Sequence, residues 1–124
     1  MNAMSRTIDQ QKFIDLVQHS KDFIALADIC GRITFMNRNG RRMIGIGEFD
    51  DLREMTFTDY VPVEWQEFLH NTVIRTAREH GLWEGEIQLR NVKTGDIIDV
   101  FSSTFYMPDP SGGGGSFATA LASS

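Results

Sequence analysis

At 124 residues the chain is the size of one ordinary domain and too short for two. It is 41% hydrophobic, with nine Phe, and 23% charged, which suits one packed core and excludes general disorder. Twelve Lys+Arg against seventeen Asp+Glu leave a net charge of −5, a poor match for a phosphate backbone, so no nucleic acid is expected as a partner.

The chain opens on Met1-Asn2-Ala3 ahead of Met4, which reads as an expression-vector remnant. Residues 8–19 predict a helix: Asp9, Phe13, Leu16 and Val17 follow one helical path, with Gln10, Gln11, Lys12, Asp15 and Gln18 on the wet side. Residues 1–19 are therefore remnant plus an N-terminal amphipathic helix, and 20–124 are the domain proper. Asp22 to Asp28 and 33–36 are short apolar runs around Cys30-Gly31-Arg32, which predicts a hairpin. Asn37 stands where a helix N-cap belongs, and Gly45 where that short helix ends. A polar connection follows, with short helical turns expected at 51–54 and 57–60. From Val63 a long helix is predicted to Gly81, with Trp65, Phe68, Leu69, Thr72, Val73 and Thr76 on its inner face. The period then switches to two, with Trp83, Gly85, Ile87 and Leu89 inward and Glu84, Glu86, Gln88 and Arg90 wet. Lys93-Thr94-Gly95-Asp96 turns into a strand over 97–107, whose two faces are both apolar in part. After Pro108-Asp109-Pro110 the Gly112–Gly115 tract, native or engineered, is a flexible loop before a last strand over 117–122. The order implies an α+β domain: a five-stranded antiparallel sheet with helices packed on one face.

Residues 20–121 resemble the PAS superfamily. Asp22-Phe23-Ile24-Ala25-Leu26-Ala27-Asp28 with Gly31-Arg32-Ile33-Thr34-Phe35-Met36-Asn37 is similar to the family's opening D-x-I-x-x-x-D-x-x-G-x-I-x-x-x-N. Tyr60-Val61-Pro62-Val63-Glu64 stands where the family shows V-H-P-x-D, with Val61 and Glu64 replacing its His and Asp. Gly81-Leu82-Trp83-Glu84-Gly85-Glu86 resembles the G-x-W-x-G-E entry to the third strand, and Lys93-Thr94-Gly95-Asp96 the K-D-G-S turn. The resemblance implies the PAS fold and a non-catalytic sensory and dimerisation module of a bacterial signal-transduction protein, a sensor histidine kinase first among them. It also implies a C-terminal effector domain in the same chain, through a linker that would follow the last strand.

The chemistry-bearing residues are few. Cys30 is the one cysteine, so no intrachain disulfide forms, which fits the cytoplasm. No apolar run approaches the roughly 20 residues that span a bilayer, so no membrane contact is expected of this stretch. Arg38, Arg41 and Arg42 read as a solvated surface. The family's flavin-adduct branch carries a Cys in N-C-R-F-L-Q, and no Cys stands near Asn37 or Asn71 here. His70 lies on the helix from which haem-binding relatives supply a ligand, but off the apolar stripe. No cofactor and no metal are therefore expected. A haem- or flavin-based sensor is one alternative, and a small α+β enzyme another. Pocket candidates between sheet and helices are Leu26, Phe35, Met43, Phe57, Phe68, Thr72, Thr76, Ile87 and Leu89, with Ile24 and Leu69 in the same core. Thr72 and Thr76 are singled out because a buried hydroxyl wants a partner. The expected partners are a small apolar or weakly polar ligand and a second copy of the chain. The copy would dock through the Phe13, Leu16, Val17 stripe and the outer sheet face.

Overall fold

The computed structural model describes residues 3–112 and 114–123, with side chains from Gln11 onward. Met1 and Asn2, two of the three residues of the remnant reading, lie outside them, as does Gly113 of the glycine tract. The described chain runs α1 (Ala3–His19), β1 (Phe23–Asp28), β2 (Ile33–Met36), α2 (Arg38–Ile44), a 3₁₀ turn (Phe57–Tyr60), α3 (Val63–Phe68), a π turn (Leu69–Ile74), α4 (Arg75–His80), β3 (Leu82–Arg90), β4 (Ile97–Pro108) and β5 (Gly115–Ser123). The five strands form one sheet in the order β2-β1-β5-β4-β3, antiparallel at every pairing.

The connections are shaped by local hydrogen bonds. In the β1–β2 turn the Asp28 carboxylate accepts from the Cys30 and Arg32 N–H groups at 2.9 and 3.0 Å. Gly31 sits there at φ 87° beneath the Phe57 ring, so a side chain would meet both a left-handed backbone and an aromatic face. The segment before Phe57 runs along β2, where Ile33 N–H donates to the Met55 carbonyl at 2.9 Å. Asn91 shapes the β3–β4 turn, accepting from Lys93 and Thr94 at 2.9 and 3.0 Å.

One face of the sheet carries the core. Phe23, Ala25 and Ala27 of β1, Ile87 and Leu89 of β3, Val100 of β4 and Leu121 of β5 are buried against Ile44, Tyr60, Leu69 and Val73. The period-two reading of β3 holds: Ile87 and Leu89 are buried, while Glu84 and Glu86 are exposed.

The long helix departs from its predicted face. Its middle is the π turn, whose wider ring shifts the rotation of the residues it contains relative to an α-helix. Leu69, Val73 and Ala77 are buried, whereas Phe68 is exposed and Thr72 and Thr76 are half-buried. The amphipathic stripe of α1 is also only partly used. Val17 is buried where the last turn meets α2, while Phe13 and Leu16 remain 66% and 69% exposed.

Candidate functional site

Between the inner face of the sheet and the π turn lies a cavity of about 50 Å³. That exceeds the roughly 10–15 Å³ one water needs and is well below the roughly 300–1,000 Å³ of a drug- or cofactor-sized pocket. Leu69, Val73 and Ile74 wall it from the π turn, Ile87 and Leu89 from β3, and Phe117 and Leu121 from β5, with Phe57 and Tyr60 also on its lining.

Beside the Tyr60 phenol, its polar lining is three hydroxyls on the sheet. Ser102 and Thr104 of β4 are 2% and 5% exposed, and Thr119 of β5 stands directly across from Thr104. Their hydroxyls form a triangle with edges of 3.1 Å (Ser102–Thr104), 3.1 Å (Thr104–Thr119) and 3.5 Å (Ser102–Thr119). Among the described residues no Asp, Glu, His, Lys, Arg or Cys is on the lining. Burial first, and the Asp59 charge second, push the Tyr60 phenol well above its ordinary pKa, so it stays protonated. The site thus offers shape and hydroxyl hydrogen bonds, without an acid–base pair or a nucleophile–base pair.

The sequence-predicted pocket residues divide. Ile87, Leu89 and Phe57 line the cavity, and Leu26 borders it from a strand position that alternates outward. Phe35 pairs with Leu26 and faces away from the core, and Met43 packs at the core's margin. Phe68, Thr72 and Thr76 are turned off the lining by the π turn. Buried hydroxyls were expected on the helix and occur on the sheet instead. Their sequence signal is present: Ser102 and Thr104 share strand parity with buried Val100, and Thr119 with buried Phe117 and Leu121. His70 is exposed and packs its ring 5.7 Å from Phe57, outside the lining. Cys30 is exposed in its turn. Among the described residues no group of His, Cys, Asp and Glu is placed to hold a metal ion, and no helix is long and apolar enough to cross a membrane.

A second recess, about 290 Å³, lies at the sheet's β3 edge. There the Trp65 indole N–H donates to Gln88 at 2.9 Å and Gln88 donates to Asp99 at 2.8 Å. Its Trp65, Gln88 and Asp99 side chains are already bonded to one another on an exposed edge, and the apolar-walled cavity under the π turn is the better candidate.

The opposite face of the sheet is apolar along one line. Leu82 pairs with Phe105, Phe105 with Ala118, Ala118 with Leu26, and Leu26 with Phe35, a row that crosses all five strands. Phe105, and Phe101 further along β4, each keep 44% of their surface exposed.

No protein-family model matches the sequence, and no curated protein matches it. The architecture does match solved structures: the chain has the PAS fold. A PAS domain from Colwellia psychrerythraea superposes with a TM-score of 0.82 at 18% identity, over 94% of this chain and 97% of that one. The PAS domain of an HTR-like protein from Haloarcula marismortui gives 0.78 at 14% identity, over 98% and 96%. A PAS domain from a two-component sensor histidine kinase gives 0.75 at 14% identity, over 96% and 99%.

Proposed function

We propose that the chain is a non-catalytic sensory and dimerisation module of a bacterial signal-transduction protein, a sensor histidine kinase, acting in the cytoplasm. The observation that carries this reading is the apolar cavity under the π turn, with its hydroxyl lining and no acid–base pair. π turns within α-helices concentrate at functional sites, because the widened ring re-aims side chains there. The ligand is small and apolar or weakly polar. The cavity is too small for a haem or a flavin, and His70 is placed outside it.

The row from Leu82 to Phe35 and the exposed Phe13 and Leu16 support a homodimer, since apolar surface of this kind is stabilised by a cover. Nucleic acid and membrane have no part in this reading. Output passes to an effector domain of the same polypeptide through β5. That strand is the central one of the sheet, carries Thr119 and Leu121 into the cavity lining, and is nearest the C-terminus.

The test is a saturation-transfer screen of small neutral compounds against the chain and against Val73→Phe, whose ring fills the cavity. Hits that disappear in Val73→Phe are expected. Hits that persist unchanged, or no hits at all, contradict the reading.

A further inference from the structure

The hydroxyl triangle has a proton balance that specifies more than a weakly polar ligand. Each hydroxyl has one proton to donate and two lone pairs to accept with. Four acceptor contacts are available to the three protons: the triangle's edges at 3.1, 3.1 and 3.5 Å, and a contact from Thr119 to the Ser103 carbonyl at 3.4 Å. All three protons have an acceptor within reach inside the cluster, and with them so placed the capacity the cluster has left over is lone pairs, the Tyr60 phenol being a separate donor on the lining. A guest that meets these oxygens is best held if it brings a donor of its own.

The guest must also be neutral. Among the described residues no charged side chain lies on the lining, so an ion would be buried without a partner, which an apolar interior strongly disfavours. A Thr–Thr pair across two strands also stabilises a sheet by itself, and that structural role predicts no ligand preference.

Resting on the sensory reading above, we propose that the cavity binds a small neutral molecule bearing one hydrogen-bond donor, of the alcohol class. The donor sits on the hydroxyl oxygens of Thr104 and Thr119, and the carbon chain lies against Leu69, Val73 and Ile87.

The experiment compares n-propanol with methyl ethyl ether, its isomer without a donor. Binding is followed by amide chemical shifts in the full chain and in Thr104→Val/Thr119→Val. In the unaltered chain, propanol is expected to give saturable shifts at 102, 104 and 119 and to bind about tenfold more tightly than the ether, the effect of one neutral hydrogen bond. In the double variant the preference should vanish while xenon still enters. Equal binding of the two probes by the unaltered chain, or a preference that survives in the variant, overturns the assignment and leaves the cavity reading intact. If neither probe nor xenon enters the unaltered chain, the sensory reading fails, and this assignment with it. Should the double variant not fold, Thr119→Val alone carries the comparison with the same two readings.

Discussion

Asn37 ties together segments from three elements. Its Oδ1 accepts the Gly40 N–H that opens α2 and the Ile24 N–H of β1, both at 2.9 Å. Its Nδ2 donates to the carbonyls of Val17 in α1 at 2.8 Å and Asp22 at 3.0 Å. An N-cap alone is worth roughly 0.5–2 kcal/mol. Here truncation also strands buried partners, at about 1–3 kcal/mol for each group left unsatisfied. Asn37→Ala is therefore expected to cost about 2–4 kcal/mol, measured by denaturant unfolding. A loss of no more than an ordinary cap would show that the other bonds contribute little. Tyr60 gives a prediction in pH. Its ring packs 5.3 Å from Phe23, and its folded pKa is raised above the ordinary 10.0. The folded state then holds the phenolic proton more tightly than the unfolded chain. That stability is complete below pH about 10 and is lost as pH rises toward the folded pKa. Stability should fall more steeply above pH 10 in the parent than in Tyr60→Phe, which keeps the ring and has nothing to ionise. Parallel pH profiles for the two proteins would contradict the burial argument.

The long helix shows which parts of this fold are legible in sequence. Its ends were readable from local chemistry: Pro62 precedes it and Gly81 closes it at φ 90°. Strands β3 and β4, their turn and the Asn37 cap were readable for the same reason, since period two, turn residues and caps depend on neighbours a few positions away. The π turn was not. It inserts its offset without a distinctive residue, and the 3.6 period carried across it moved the inner face onto Phe68, Thr72 and Thr76. The candidate site was half legible in consequence: apolar lining such as Ile87 and Leu89 emerged from alternation. The grouping of Ser102, Thr104 and Thr119 required the pairing of β4 with β5, which residue spacing does not specify. A π turn behaves as one residue inserted into an α-helix. Deleting exposed Asn71 should let α3 and α4 join as continuous α-helix with the melting midpoint largely kept. Small-molecule binding in the cavity should be lost, because Leu69, Val73 and Ile74 would be re-aimed. Binding that survives the deletion in a folded protein would show that the π turn does not shape the cavity.

At the scale of the molecule, the sheet has an inner face packed around the cavity and an apolar row on its outer one. The α1 helix is anchored at its last turn through Val17 and Gln18, whose side-chain carbonyl accepts the Arg38 N–H at 2.8 Å, and it leaves Phe13 and Leu16 exposed. Pairing two copies by a two-fold axis would cover both surfaces at once. Sedimentation velocity at micromolar concentration should show a dimer that becomes monomeric in Phe105→Glu, since a buried unpaired carboxylate within the row disfavours the contact. A parent chain that is monomeric at hundreds of micromolar would contradict the dimer. The cavity is, as proposed, where the domain senses. Methyl-resolved NMR under xenon pressure tests it most directly, because xenon needs space and apolar walls alone. Saturable shifts are expected at Leu69, Val73, Ile87, Leu89 and Leu121, with smaller linked shifts on the outer face of β4 and β5. Shifts that rise linearly with pressure and never saturate, or that fall only on surface methyls, would contradict it.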